Sequence, residues 1–393
     1  MARLAFLLAC AAFHLAITRA DQATSYKLQL SGGGPQIFPG GAFKPANTDN
    51  FPASKHLSGA IVALNPNALR APHWHTPAEW GFVVDGVCRV AAVEQGANLT
   101  ASSLEYQPGD VWYFGSNVAH SVMGVDPDGC SYVSVWNNGT FNEHTQSMEL
   151  STWVALLPPT ILSQLTNTST SVLTGGLPYL TPANTTSTNQ LRNSTVDIFL
   201  PQAADGADLD VNSTVPVTAP QESPRYGLKA AKPQMSVDNV GSFVFEDASL
   251  FPAAKDMWGG VLHLEPGAMR SSHWHLGSDE WQYVVNGTNI EVGNYVGNGT
   301  LAVASLGTGD VGVSPQGAPH YVKNNGKLAA DILMVFTGAA DSGIDLAGVL
   351  GSFPAQWVAA TLNTTADFAK GLALNAEPSL AGFVAPPAAS QIL

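Results

Sequence analysis

The chain has 393 residues, and 16 Lys+Arg against 30 Asp+Glu give a formal net charge of −14. Nucleic-acid binders and proteins that dock on anionic membranes need clustered cations, so this balance argues against both. Charged residues are 12% and hydrophobic residues 45%, a composition with material for a core, at a length that suits two domains.

The first 20 residues, MARLAFLLACAAFHLAITRA, place Arg3 before an apolar run and end in Thr18-Arg19-Ala20. This predicts a secretory signal peptide cut after Ala20, because the run is shorter than the ~18 residues a membrane span needs. The remaining chain is expected to be soluble and secreted, extracellular or in a cell wall. Asn-X-Ser/Thr sites at Asn98, Asn138, Asn167, Asn184, Asn193, Asn212, Asn286, Asn298 and Asn363 fit an exported glycoprotein. Cys10 leaves with the leader. An oxidising compartment permits Cys88 and Cys130 to pair, but geometry decides whether they do.

Residues 21–159 read as the first β unit. Short segments rich in Val, Tyr, Phe and Trp alternate with turn signals such as Asn65-Pro66-Asn67 and Pro127-Asp128-Gly129, which predicts antiparallel strands in a sandwich or small barrel. A helix follows at about 151–157. Residues 160–232, rich in Thr, Ser, Asn and Pro, read as a connector too long for the inside of one domain.

Residues 233–393 repeat the first unit, with a helix at about 353–362. Arg70-Ala71-Pro72-His73-Trp74-His75 recurs as Arg270-Ser271-Ser272-His273-Trp274-His275. Glu79-Trp80 recurs one residue out of step as Glu280-Trp281. Gly109-Asp110-Val111 returns as Gly309-Asp310-Val311, His120 as His320, and Gly59 as Gly259. Compensated drift of this kind marks a duplication. The fold class is all-β, two tandem units with short flanking helices.

Each unit carries a candidate metal set: His73, His75, Glu79 and His120, then His273, His275, Glu280 and His320. Histidines two apart on a strand face one way. Three imidazoles and a carboxylate suit a first-row divalent ion and leave coordination positions open. The absence of a thiolate cluster argues against structural zinc. Core histidines are the bland alternative, but duplicated buried imidazole–carboxylate sets would be costly without an ion. Trp112, His56 and His263 read as packing or surface residues. Trp80 and Trp281 read as cavity walls.

HWHTPAEWGFVVDG with GDVWYFGSNVAH, and HWHLGSDEWQYVVNG with GDVGVSPQGAPH, resemble the two motifs of the cupin superfamily, twice over. The Arg three residues before each HWH resembles the bicupin oxalate decarboxylase family. The likeness runs over about residues 38–362. It implies two cupin jelly-roll barrels, one Mn(II) in each, dioxygen as co-catalyst, and oxalate converted to formate and CO2. It also implies a trimeric or hexameric homo-oligomer. Arg70 and Arg270 would bind oxalate, since a guanidinium forks onto carboxylate oxygens. The family's lid acid matches Glu143, although Asn142 and His144 depart from its usual neighbours. In the second unit the family's acid corresponds to Met334, which cannot transfer a proton, so the first unit is expected to be catalytic. Alternatives are an oxalate oxidase yielding hydrogen peroxide, another small-acid cupin enzyme, and a non-enzymatic vicilin-like storage protein.

Overall fold

The computed structural model describes residues 25–30, 34–94, 100–177, 199–200, 224–340, 343–375 and 382–386. The leader and the sequons at Asn98, Asn184, Asn193 and Asn212 lie outside the described residues. Both units are barrels made of a larger and a smaller antiparallel sheet.

In the first unit the larger sheet runs in space Arg225–Gly227, Asp110–Phe114, Glu79–Gly86, Cys130–Trp136, Ser58–Leu64, Gly41–Ala46, Gln36–Phe38. The smaller sheet runs Met148–Glu149, Leu69–Trp74, Ala119–Gly124, Cys88–Glu94, Thr100–Tyr106. The second unit repeats this plan around Glu280–Asn286, Ala330–Thr337 and Met257–Leu264 in one sheet, and Met269–His275 and His320–Asn324 in the other.

Central strands such as Cys130–Trp136 and Ala330–Thr337 are buried on both faces. That explains their nearly unbroken apolar runs. One face lines a barrel, and the other packs against the sister barrel in a core shared by Trp80, Val133, Val135, Trp281, Leu333 and Val335. The repeated Gly59 and Gly259 follow from this packing. A Cβ on Gly59 would lie 2.5 Å from Trp281 Cζ2, and one on Gly259 would lie 2.8 Å from Trp80 Cζ2. Trp80 and Trp281 therefore pin the barrels together and do not wall the metal cavities. Each follows its Glu by one residue, and strand alternation sends it to the opposite face.

The units also exchange strands. Lys27–Leu28 pairs with Val311–Ser314 of the second barrel, while Arg225–Gly227 pairs with Asp110–Phe114 of the first. Parts of the segment read as a connector are thus structural: Phe199–Leu200, near its middle, adds to strand Leu69–Trp74, and helices Pro159–Thr166 and Thr170–Gly176 follow helix Leu150–Leu156. Cys88 and Cys130 form a disulfide that ties the two sheets of the first barrel. In the second barrel Ala330 holds the ladder position of Cys130.

Candidate metal centres

The paired motifs converge as their spacing predicts. His73 lies on Leu69–Trp74, directly opposite His120 on Ala119–Gly124. His75 ends the same run, and Glu79 opens the strand after the turn. All four are buried, and their ligating atoms lie within 4.8 Å of one another. His273, His275, Glu280 and His320 form the same cluster in the second barrel.

Backbone carbonyls set the imidazole tautomers. The Nδ1 atoms of His73, His75 and His120 lie 2.8, 2.7 and 2.9 Å from the carbonyl oxygens of Ala71, Pro77 and Val118. A proton on each Nδ1 leaves Nε2 as a lone pair aimed into the cluster. His273 and His320 are held likewise by Ser271 and Ala318. Nε2 of His73 and of His120 is buried with no well-formed hydrogen bond; carboxylate oxygens face them at 3.3 and 3.4 Å. Burial and the nearby Arg70 hold His73 well below the ordinary imidazole range, and burial with His320 and Arg270 does the same to His273. Burial works to raise Glu79 and Glu280, but the neighbouring histidines outweigh it and hold both well below the usual carboxylate range. Neutral imidazoles, an ionised carboxylate and orphaned nitrogens are what a divalent cation requires, so the residues fit one.

The surroundings of the two carboxylates differ. Glu79 Oε1 accepts from Trp112 Nε1 at 3.0 Å and Ser134 Oγ at 2.8 Å, and Oε2 accepts from Trp136 Nε1 at 3.0 Å. Glu280 Oε1 accepts from Gln282 Nε2 at 2.6 Å. The exchange is steric. A Cβ on Gly81 would collide with the Trp112 indole, and a Cβ on Gly312 would collide with Gln282, so one bulky donor fits from either strand. Trp112, read from sequence as packing, is thus a partner of the metal-site acid. The alternation Gly81/Trp112 against Gln282/Gly312 was the available signal.

Arg70 is fully buried at the mouth of the first cluster. Its Nε donates to Glu143 Oε1 at 2.6 Å, and its Nη1 and Nη2 donate to Glu149 at 3.1 and 2.9 Å. Glu149 was not anticipated from the sequence. Glu143 is buried and lies 3.3 Å from His73 Nε2. Burial would raise its carboxyl, but Arg70 and His73 bring it down to about 2. It opens the one-turn helix Glu143–Gln146, capped by Asn142 Oδ1, which accepts from His144 N at 3.1 Å. The two departures from the family motif therefore have roles: Asn142 caps the turn, and His144 packs edge-on to Phe38.

The second unit lacks this arrangement among the described residues. Arg270 Nη1 donates to the Gly382 carbonyl at 3.0 Å. Met334 does not occupy the place of a lid acid. It lies within the strand, opposite Gln282 and Gly260, at the ladder position that Ser134 holds in the first barrel. The segment matching the lid is shorter, residues 338–342 against 137–147, and residues 341 and 342 lie outside the described residues. His56 and His263 pair with acids, Asp279 and Asp331, and belong to neither ligand set.

Comparison with known proteins agrees with this geometry. The family model described as Cupin matches residues 33–172 and 232–370. Oxalate decarboxylase OxdC of Bacillus subtilis is 28% identical over 360 residues, covering 90% of this chain and 86% of that protein. An oxalate decarboxylase of Arthroderma benhamiae is 28% identical over 311 residues, covering 74% of this chain and 68% of that one. A solved structure of B. subtilis oxalate decarboxylase at pH 4.6 superposes with a TM-score of 0.77 at 23% identity, over 93% of this chain and 89% of that one.

Proposed function

We propose that this chain, which belongs to the cupin family through both of its halves, is a secreted manganese-dependent oxalate decarboxylase that turns over at its first centre. The observation that carries the reading is the convergence of Arg70 and the lid carboxyl of Glu143 on the mouth of the His73, His75, Glu79 and His120 cluster. The B. subtilis and A. benhamiae relatives are oxalate decarboxylases by name. Mn(II) centres are described for the B. subtilis enzyme, whose structure gives a TM-score of 0.75 at 24% identity.

The four first-unit ligands would hold one Mn(II), and the four second-unit ligands another. When bound, the ion supplies Lewis-acid polarisation and one-electron chemistry. Dioxygen serves as a co-catalyst that net turnover does not consume. Arg70 orients a carboxylate of hydrogen oxalate beside the cluster. Glu143, ionised because Arg70 lowers its carboxyl, accepts the acidic proton of the monoanion. The carbon–carbon bond then breaks, CO2 leaves, and Glu143 returns the proton to the remaining carbon as formate. Hydrogen oxalate becomes formate and CO2 with atoms and charge balanced. Closed over the cluster, the lid excludes water from this transfer and must withdraw to admit substrate.

Export is supported by the leader-like N-terminus, the Cys88–Cys130 disulfide and exposed sequon asparagines at 138, 167, 286, 298 and 363. A homo-oligomer is supported by exposed aromatic side chains on the outer helices, Trp153, Trp357 and Phe368.

The test is Mn-loaded protein given acidic oxalate, with formate and peroxide measured together. Formate in excess supports the reading. Peroxide without formate makes the protein an oxidase, and failure to bind metal makes it a storage protein.

A further inference from the structure

Arg70 is held by two acids that differ in how they are anchored. Glu143 belongs to the short helix of the lid. Glu149 belongs to the barrel: its backbone pairs with His73, and Met148 pairs with Trp74. A guanidinium presents two bidentate edges, one formed by both Nη groups and one by Nε with Nη2. Glu149 takes the first edge, through Oε1 and Oε2. Nη1 is also tied to the Ala71 carbonyl at 3.3 Å, and Phe199 lies beneath the guanidinium with its ring centre 5.9 Å from Cζ. The second edge faces the cluster, and Glu143 occupies it through Nε alone.

We propose that Glu149 is the positioning residue for Arg70: it keeps the guanidinium on the barrel while Glu143 and the substrate carboxylate exchange on the Nε edge. Without Glu149, the ion pair with Glu143 would draw Arg70 away each time the lid opens, and the substrate would lose its anchor as it enters. The second unit shows what the barrel does without this device. Asp345 holds the ladder position of Glu149, opposite His273, but its shorter side chain caps helix Leu346–Ser352 by accepting from Gly348 N at 2.5 Å. Arg270 Nη1 donates to the Gly382 carbonyl, and a side chain at Gly382, where φ is +65°, would collide with the guanidinium.

The inference rests on the oxalate reading, and its test separates the two. Mn-loaded wild-type protein, E149Q, E149A, R70K and R70K/E149A are compared. Oxalate affinity is read as KM from formate release, and as Kd from the Mn(II) resonance of samples frozen before turnover. E149A is expected to raise KM and Kd about tenfold with a much smaller change in kcat, the pattern of lost uniform binding. E149Q, which keeps one acceptor oxygen, falls between. In the R70K background, where no fork exists to be held, E149A changes affinity less than about twofold, because the two effects are coupled. An equal loss of affinity in both backgrounds makes Glu149 merely structural and overturns the inference, as does unchanged affinity in E149A. A wild-type protein that binds oxalate without making formate overturns the decarboxylase reading alone, and Kd then decides the role of Glu149. A wild-type protein that neither binds nor converts oxalate overturns both.

Discussion

The two barrels hold the same four ligands in the same cluster, yet the partners of the ligand glutamate and of the arginine before each HWH differ. Glu79 is surrounded by Trp112, Ser134 and Trp136, whereas Glu280 has Gln282, with Met334 and Phe336 on the neighbouring strand. Arg70 is clasped by two acids, while Arg270 Nη1 donates to the Gly382 carbonyl. The first barrel has a disulfide, and the second has none among the described residues. Duplication preserved what an ion needs, because four converging donors tolerate little displacement. Among the described residues, the clasp of two glutamates on the arginine before the HWH motif is found in the first barrel.

The largest break in that comparison is expected from Glu143→Gln. Removing the acid should lower formate production by roughly 10²–10⁴, while metal analysis still finds both centres filled. A ligand pair comes next. His75→Ala and His275→Ala should each release about one ion per chain, but only His75→Ala should abolish formate release, and His275→Ala should leave it largely intact. Equal loss in both would make the second centre a catalytic partner.

The disulfide tests the barrels as folding units. Replacing Cys88 and Cys130 together with Ser should cost about 2–4 kcal/mol in denaturant unfolding. Ser134→Ala should cost about 1 kcal/mol by removing one donor from Glu79. The smallest effect is expected from mild acid. The Glu143 carboxyl is lowered from 4.5 to about 2 in the folded chain, so its contribution to lid closure is complete above pH 4.5 and lost as pH falls toward 2. Hydrogen exchange of residues 141–147, corrected for intrinsic rates, should stay level from pH 7 to about 4.5 and rise only below it.

Much of the candidate site was legible because metal ligation is local along the chain. His73 and His75 sit two apart on a strand, Glu79 follows one turn later, and the repeat supplied an internal control. The lid acid was legible only through family resemblance. Glu149 was not legible at all. It lies 79 residues from Arg70, next to helix-forming residues, and looks like any exposed acid until strand Met148–Glu149 folds back onto His73. Trp112 was misread for the same reason: its indole reaches Glu79 only because Gly81, on the paired strand, leaves room.

By itself the sequence determined the all-β duplication, the two ligand sets and the net negative charge, because periodicity, motif spacing and charge are properties of the chain. Tertiary structure alone decided that Trp80 and Trp281 lock the barrels together, that strands cross between units, and that Met334 replaces a serine and not an acid. It also decided that Arg70 answers to two carboxylates. Each of these depends on which strands become neighbours and in what register, and a register shift of one residue turns every side chain to the other face.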